Sequence, residues 1–259
     1  MKSLKKSSRP KSKGLSKPLK TDTYHHGDLR TTLIETAVRM LKTKASAEIS
    51  LRELAREAGV SQAAPYRHFK DKNQLLAAVC QQGFDLKFQY MVEAVQTAKT
   101  PEELIHACGI AYFRMGLKHP QHFKLMVNSE IQPSPDYPEL EKAACKSFLV
   151  LKQVIEQCQK AGLMGEGDPY HRAMNCWCLV NGFTALYAEG RLAWLGVTEK
   201  NAEAALSNLI SQHLYGSQHP LSRSGSGFRI FSTPESQQNK EQLTQMEAFL
   251  QGLHLLDRK

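Results

Sequence analysis

The sequence predicts an all-α protein, in which three short helices and a long fourth one form a first domain and further helices form a second. Three observations predict it. Apolar residues recur at spacings of three and four along most of the chain, the period of a helix with one buried face. Ser, Thr or Asp stands immediately before several of these stretches, and Gly or Pro stands between them, as helix starts and stops do. No segment shows a convincing strand-like alternation of apolar and polar residues.

Taken in order, Leu29, Leu33, Ala37 and Leu41 recur every fourth residue between Asp28 and Lys44, with Ile34 and Val38 beside them and Asp28 placed to cap the helix. Ser50 opens a second helix, with Glu53 placed to complete a capping box and Leu51, Leu54, Ala55 and Ala58 turned inward. Gly59 closes it. Ser61 begins a third helix expected to run to about Phe69, and Asp71 caps a fourth that carries Leu75, Leu76, Val79, Phe84, Leu86, Phe88 and Met91 towards Gln96. Beyond Pro101, helices are expected at 101–118, 120–128, 137–161, 168–190 and 199–215, divided by Pro and Gly. The Ser/Gly-rich stretch 216–232 reads as a mobile linker. Thr233-Pro234-Glu235 then restarts a helix with Leu243, Met246, Phe249, Leu250 and Leu253 on its apolar face.

The charge is unevenly placed. The formal net charge is +9, yet Lys2, Lys5, Lys6, Arg9, Lys11, Lys13, Lys17 and Lys20 supply +8 of it with no acid among them. Residues 1–23, with almost no bulky apolar side chain, read as a disordered basic arm, and the remainder as a nearly neutral body. The expected organisation is therefore this arm, a helix-turn-helix domain over 24–90, a second helical domain over 91–215, and a linker with a C-terminal amphipathic helix over 216–259. Six cysteines lie inside apolar helical patterns rather than in a disulfide scaffold. With no signal-peptide core and no apolar run of membrane-spanning length, a soluble, cytoplasmic protein without membrane association is expected.

The chemistry concentrates in residues 50–76, SLRELAREAGVSQAAPYRHFKDKNQLL. Two short helices around a turn at Gly59-Val60 make a helix-turn-helix, and Leu54, Ala55, Val60, Pro65 and Phe69 can share a small core. The opposite face of the third helix then carries Gln62, Ala63, Tyr66, Arg67 and His68. Their amide, hydroxyl, guanidinium and imidazole groups suit base edges and phosphates, and the small Ala63 allows close approach to a groove floor.

The segment AGVSQAAPYRHFKDKNQLL resembles the signature of the TetR/AcrR family in order and spacing, and YHHGDLR, Tyr24–Arg30, resembles the opening of one subgroup. The resemblance implies a transcription regulator, usually a repressor, that binds palindromic double-stranded operator DNA as a homodimer and answers to a small lipophilic ligand. Carried over, it places Gln62, Ala63 and Arg67 near bases and Tyr66 and His68 on phosphates, with Ser50 and Lys72 holding the backbone at helix N-termini. Pro65 stands where the family more often has an aliphatic residue and removes a backbone donor, so an irregular start to the third helix is expected. KHPQHFKLM, Lys118–Met126, and AMNCWCLVNGFTAL, Ala173–Leu186, resemble the landmarks of a subgroup with a Trp-His-Gly motif. Trp177 and Gly182 match; Asn181 occupies the His position.

In the second domain, Tyr112, Phe113, Met115, Phe123, Met126, Phe148, Trp177 and Asn181 are candidates to line a ligand pocket, weighed against a plain core role. Met174, Phe183, Leu186 and Tyr187 of the 168–190 helix, with Ala202, Ala205, Leu206, Leu209 and Ile210 of the 199–215 helix, are candidates for the dimer interface. No metal site is expected. Cys176 and Cys178 project about 200° apart on a helix, His106 and Cys108 fail in the same way, and His25-His26 read as exposed side chains. Without a phosphate loop, nucleophile elbow or spaced metal ligands, no catalysis and no cofactor are expected. Two other classes stay open: a helical interaction module whose 234–256 helix docks a partner, and a small-molecule-binding enzyme.

Overall fold

A computed structural model of the chain describes residues 29–128, 131–216, 241 and 244–248. Eight α-helices make up nearly all of these: α1 (Leu29–Met40), α2 (Leu51–Glu57), α3 (Lys72–Thr97), α4 (Pro101–Lys118), α5 (Pro120–Asn128), α6 (Pro138–Lys160), α7 (Pro169–Ala188) and α8 (Ala202–Gly216). Short 3-10 turns lie at Ser46–Glu48, Pro65–Arg67 and Ala193–Leu195. Among the described residues there is no strand, and no helix is long and apolar enough to cross a membrane.

Local chemistry sets the helix starts. Asp71 accepts a hydrogen bond from the Gln74 amide at 2.9 Å, Thr100 from Glu103 at 3.1 Å and Asp168 from Tyr170 at 2.8 Å, each satisfying an otherwise orphaned donor. Pro101, Pro138 and Pro169 occupy first-turn positions where a missing N–H does no harm. Two expectations need correction here. The first helix stops at Met40 rather than Lys44, because the Lys42 and Thr43 amides turn back to carbonyls three residues earlier and tighten the chain. Ser50 does cap α2, accepting from the Glu53 amide at 3.2 Å, but the Glu53 carboxylate turns to Lys44 instead of closing a capping box. That hydrogen bond holds the Glu53 carboxyl below its usual range. The Asp28 cap lies outside the described residues.

Two cores share one helix. The head core joins Leu33, Leu54, Phe69, Leu75 and Val79, and it is completed from the second domain by Leu125, Ile131 and Leu140. The body core gathers Met91, Val95, Ile105, Phe113, Val154, Val180, Phe183 and Leu206. Helix α3 belongs to both. Its 26 residues span roughly 39 Å, with Leu75 to Cys80 in the head and Met91 and Val95 in the body. At the centre of the body, α4 touches α3, α5, α6, α7 and α8. Gly109 and Gly116, two turns apart on it, permit this. A Cβ on Gly109 would stand 2.6 Å from Ile210 Cδ1, and one on Gly116 would stand 2.8 Å from Thr184 Cγ2.

The C-terminal helix expected from residue 234 is described only at 241 and 244–248, which are helical. Met246 packs beside Leu149, and Glu247 pairs with Lys152 and accepts from the Tyr170 hydroxyl at 3.3 Å. These two residues dock on their own chain. Leu243, Phe249, Leu250, Leu253 and the 216–232 linker, apart from Gly216, lie outside the described residues, as does the basic arm.

Candidate nucleic-acid interface and ligand cavity

Gly59, at φ 68°, takes the left-handed conformation that ends α2 and swings the chain into the segment 61–70. That segment is not the helix expected from Ser61 to Phe69. Pro65 has no N–H to return to Ser61, so that bond of the α ladder is missing, and the first i→i−4 bond of the segment is Phe69 to Pro65 at 2.9 Å. Single turns precede it: the Ala64 amide reaches Ser61, and the Arg67 and His68 amides reach carbonyls three residues back. The result is one 3-10 turn at Pro65–Arg67.

Despite the change of backbone, the two faces remain distinct. Pro65 and Phe69 are buried against the head, while Gln62, Ala63, Tyr66, Arg67 and His68 are all exposed, Tyr66 by 52%. The Arg30 guanidinium lies 5.5 Å from the centre of the Phe69 ring and brings one more cation beside them. Ser50 is also exposed. Lys72 is tied down, because its ammonium donates to the Ala47 carbonyl at 3.1 Å and joins the start of α3 to the turn before α2. The arrangement leaves the polar side chains of Gln62, Tyr66, Arg67 and His68 exposed together along one short segment, a donor ridge.

In the body, a cavity of about 450 Å³ opens between α3, α4, α6 and α7, next to Gln132 and Pro133. Five of the residues expected to line a pocket do so: Tyr112, Met126, Phe148, Trp177 and Asn181. Phe113, Met115 and Phe123 do not. Phe113 lies on another side of α4, with its ring 5.6 Å from Phe183 and 5.2 Å from Tyr187, and Met115 is wholly enclosed. Phe123 sits behind the wall, 5.9 Å from the Tyr112 ring. The Tyr112 hydroxyl donates to Asn181 Oδ1 at 2.7 Å, and burial pushes its pKa well above the usual phenol value.

Sequence reasoning missed the one cation among the described residues that line the cavity. Lys87, on α3, is only 5% exposed and lines both this cavity and a crevice of about 30 Å³ leading towards His213. Its ammonium stands 5.0 Å from the Tyr112 ring centre, 5.6 Å from Phe84 and 5.7 Å from Trp177. Burial pulls its pKa down to about 8. A signal existed in the sequence: Lys87 follows Phe84 by three and precedes Met91 by four, so it falls within an apolar stripe.

The expected interface residues divide. Phe183, Ala202, Leu206 and Ile210 are buried in the protomer's own core, a correction that follows from α4 packing against the inner sides of α7 and α8. Met174 lines the cavity, and Tyr187 stacks on Phe183. Leu186 and Leu209 are exposed by 36% and 38%, Ala205 is half-buried, and a Cβ on Gly182 would meet nothing within 4 Å. Trp194, 82% exposed, and Leu195 add apolar surface that sequence reasoning did not single out. Cys176 is buried and Cys178 exposed, on different sides of α7. Among the described residues no three His, Cys, Asp or Glu side chains group to hold a metal.

Comparison with known proteins finds family matches over two stretches of the chain. The profile of the bacterial regulatory proteins of the tetR family matches residues 33–79, and that of the tetracyclin repressor-like C-terminal domain matches residues 105–211. The uncharacterized HTH-type transcriptional regulator YerO of Bacillus subtilis is 29% identical over 103 residues, which are 39% of this chain and 36% of that protein. A Rhodococcus protein of unknown function, with a solved structure, is 31% identical. The match covers 75% of this chain and all of that one, with a TM-score of 0.65. AibR, solved in complex with isovaleryl coenzyme A and operator DNA, shares the fold at 18% identity. There the match covers 72% of this chain and 98% of that one, with a TM-score of 0.54.

Proposed function

Because the chain belongs to the TetR family and is a DNA-binding transcriptional regulator, we propose that it is a homodimeric repressor released from its operator when a small ligand enters the α3–α7 cavity. The observation that carries this reading is the single helix α3, which begins beside the donor ridge and forms one wall of the cavity. A ligand that shifts α3 in the body moves the head with it. Two recognition elements spaced about one helical turn of DNA apart, roughly 34–36 Å, tolerate little such movement.

In this reading Gln62, Ala63 and Arg67 approach bases, while Tyr66 and His68 hold phosphates. Ser50 and Lys72 fix the DNA backbone near the starts of α2 and α3. Support comes from the exposure of all of these but Lys72, which is half-buried and positioned through Ala47. The dimer forms through Leu186, Leu209 and the open side of α7 around Gly182, where the absence of a side chain lets a second copy approach. The domain division at about residue 90 and the likeness to the Trp-His-Gly subgroup belong to the same reading.

The test is selection of bound duplexes from a random pool, followed by anisotropy titration at several salt concentrations. A palindromic consensus bound by two copies is expected. Failure to enrich any sequence, or binding of one copy to one half-site, overturns the reading.

A further inference from the structure

Lys87 raises a question the fold does not answer. An ammonium group taken out of water costs several kcal/mol unless it is paired, and buried lysines normally face a carboxylate. Among the described residues no Asp or Glu makes an ion pair with Lys87. Three aromatic rings within 6 Å offset part of the loss. Among the described residues the ionisable groups that line the two spaces with Lys87 are Cys108, Tyr112, Cys145, Cys176 and His213, and burial keeps each of the cysteines a neutral thiol. Lys87 is thus a buried cation at the edge of a void, and among the described residues no carboxylate pairs with it.

Apart from Tyr112, Asn181 and Gln132 the lining is largely apolar, walled by Phe84, Met126, Phe148, Met174 and Trp177. The cavity's volume of about 450 Å³ lies within the roughly 300–1,000 Å³ usual for small-molecule pockets. We propose that the cavity takes an apolar monocarboxylic acid, whose carboxylate pairs with the Lys87 ammonium while its hydrocarbon body lies along Met126, Phe148 and Trp177. The proposal rests on the ligand reading above and names the chemistry of that ligand. The carboxylate supplies a counter-charge that none of the described residues provides, and a neutral analogue of the same length leaves Lys87 as it is. Because Lys87 stands on α3, the attraction acts on the helix that carries the head. A phosphate or other doubly charged polar anion lacks the apolar body these walls demand.

Octanoate and 1-octanol share an eight-carbon chain and differ at the head group, a charged carboxylate against a neutral hydroxyl, and both fit the volume. Calorimetric titration of the full chain with each, at pH 7, is expected to show octanoate binding at least about tenfold more tightly, the gain of a charge-assisted bond. Lys87→Met is expected to bring the two ligands within about twofold of each other while keeping 1-octanol, which also shows that the variant is folded. Lys87→Arg, retaining the charge, is expected to keep a preference for octanoate. Equal affinity in the wild type, or an undiminished preference in Lys87→Met, overturns the charge pairing and leaves the cavity as a neutral site. Binding of neither molecule to the wild type overturns the cavity reading itself, and this inference with it.

Discussion

A Cβ on Gly83 of α3 would stand 2.5 Å from the Met126 sulfur of α5 and 3.2 Å from His122 Cβ, so the two helices touch where the cavity begins. Gly83→Ala therefore drives Met126 towards the void it now borders. Overpacking of this kind costs about 1–3 kcal/mol. A lower melting temperature and weaker octanoate binding are expected together; an unchanged melt would show that Met126 moves aside freely.

Tyr66 and Arg67 stand clear of the head core, whereas Lys72 holds the Ala47 carbonyl. Arg67→Ala or Tyr66→Phe is expected to weaken operator binding about tenfold or more, at about 1–3 kcal/mol per contact, with little change in melting temperature. Lys72→Ala is expected to lower both, because it releases the turn before α2 as well as a cation. Parallel anisotropy and thermal melts separate the two classes, and a large melting loss for Arg67→Ala would remove it from the interface.

On α7 and α8 the exposed and enclosed leucines are expected to part company. The double variant Leu186→Glu, Leu209→Glu should remain folded but sediment as a monomer, since both side chains are at the surface. Leu206→Ala should instead destabilise the protomer by about 2–5 kcal/mol, because Leu206 is fully enclosed. A dimer that survives the double glutamate variant places the interface elsewhere.

Lys87 also makes a prediction about pH. Its folded pKa of about 8 lies below the ordinary 10.5, so between those values the unfolded chain holds the extra proton and stability rises with pH. Below about 8 both states are protonated and the full penalty, about 3 kcal/mol by linkage, is present. The buried thiols act oppositely. Cys80, Cys108, Cys158 and Cys176, pushed up to about 12, stay protonated in the folded state while the unfolded chain ionises, so they lower stability as pH passes about 9. The difference between Lys87→Met and wild type isolates the lysine. The variant is expected to be the more stable at pH 7, by an amount that shrinks towards pH 10.5, and denaturant titrations across that range check it.

The basic arm is tested by removing residues 1–20, which carry eight cations and no acid. Operator preference is expected to persist, with weaker total affinity and a flatter slope of log affinity against log salt, since fewer counterions are released. An unaltered slope would show that the arm does not touch DNA.

How far the sequence could be read depended on which interactions were local. Thr100-Pro101 and Asp168-Pro169 place helix starts within a residue or two, because cap and first-turn proline act on their own neighbours. Pro65 was visible as an irregularity, yet its full effect, the reduction of a helix to one turn, depends on how the whole 61–69 segment closes its hydrogen bonds. The cavity was harder. Helical period identifies inward residues but not which inward residues meet across a space, so Tyr112 and Phe113, adjacent on α4, face a void and a packed ring cluster respectively. The same limit hid the burial of Phe183 and Ile210. Lys87 was overlooked because a lysine in an apolar stripe is ordinarily taken to reach solvent.

Leu125, Ile131 and Leu140, contributed by the far side of the chain to the core beneath the donor ridge, bear on how this molecule can be recombined. Cutting within α3 and grafting residues 29–90 onto another body strips those three side chains from the head and leaves Leu75, Leu76 and Val79 open to water. A functional chimaera must carry α5 and the start of α6 with the head. The unit of exchange in this protein is therefore discontinuous in sequence.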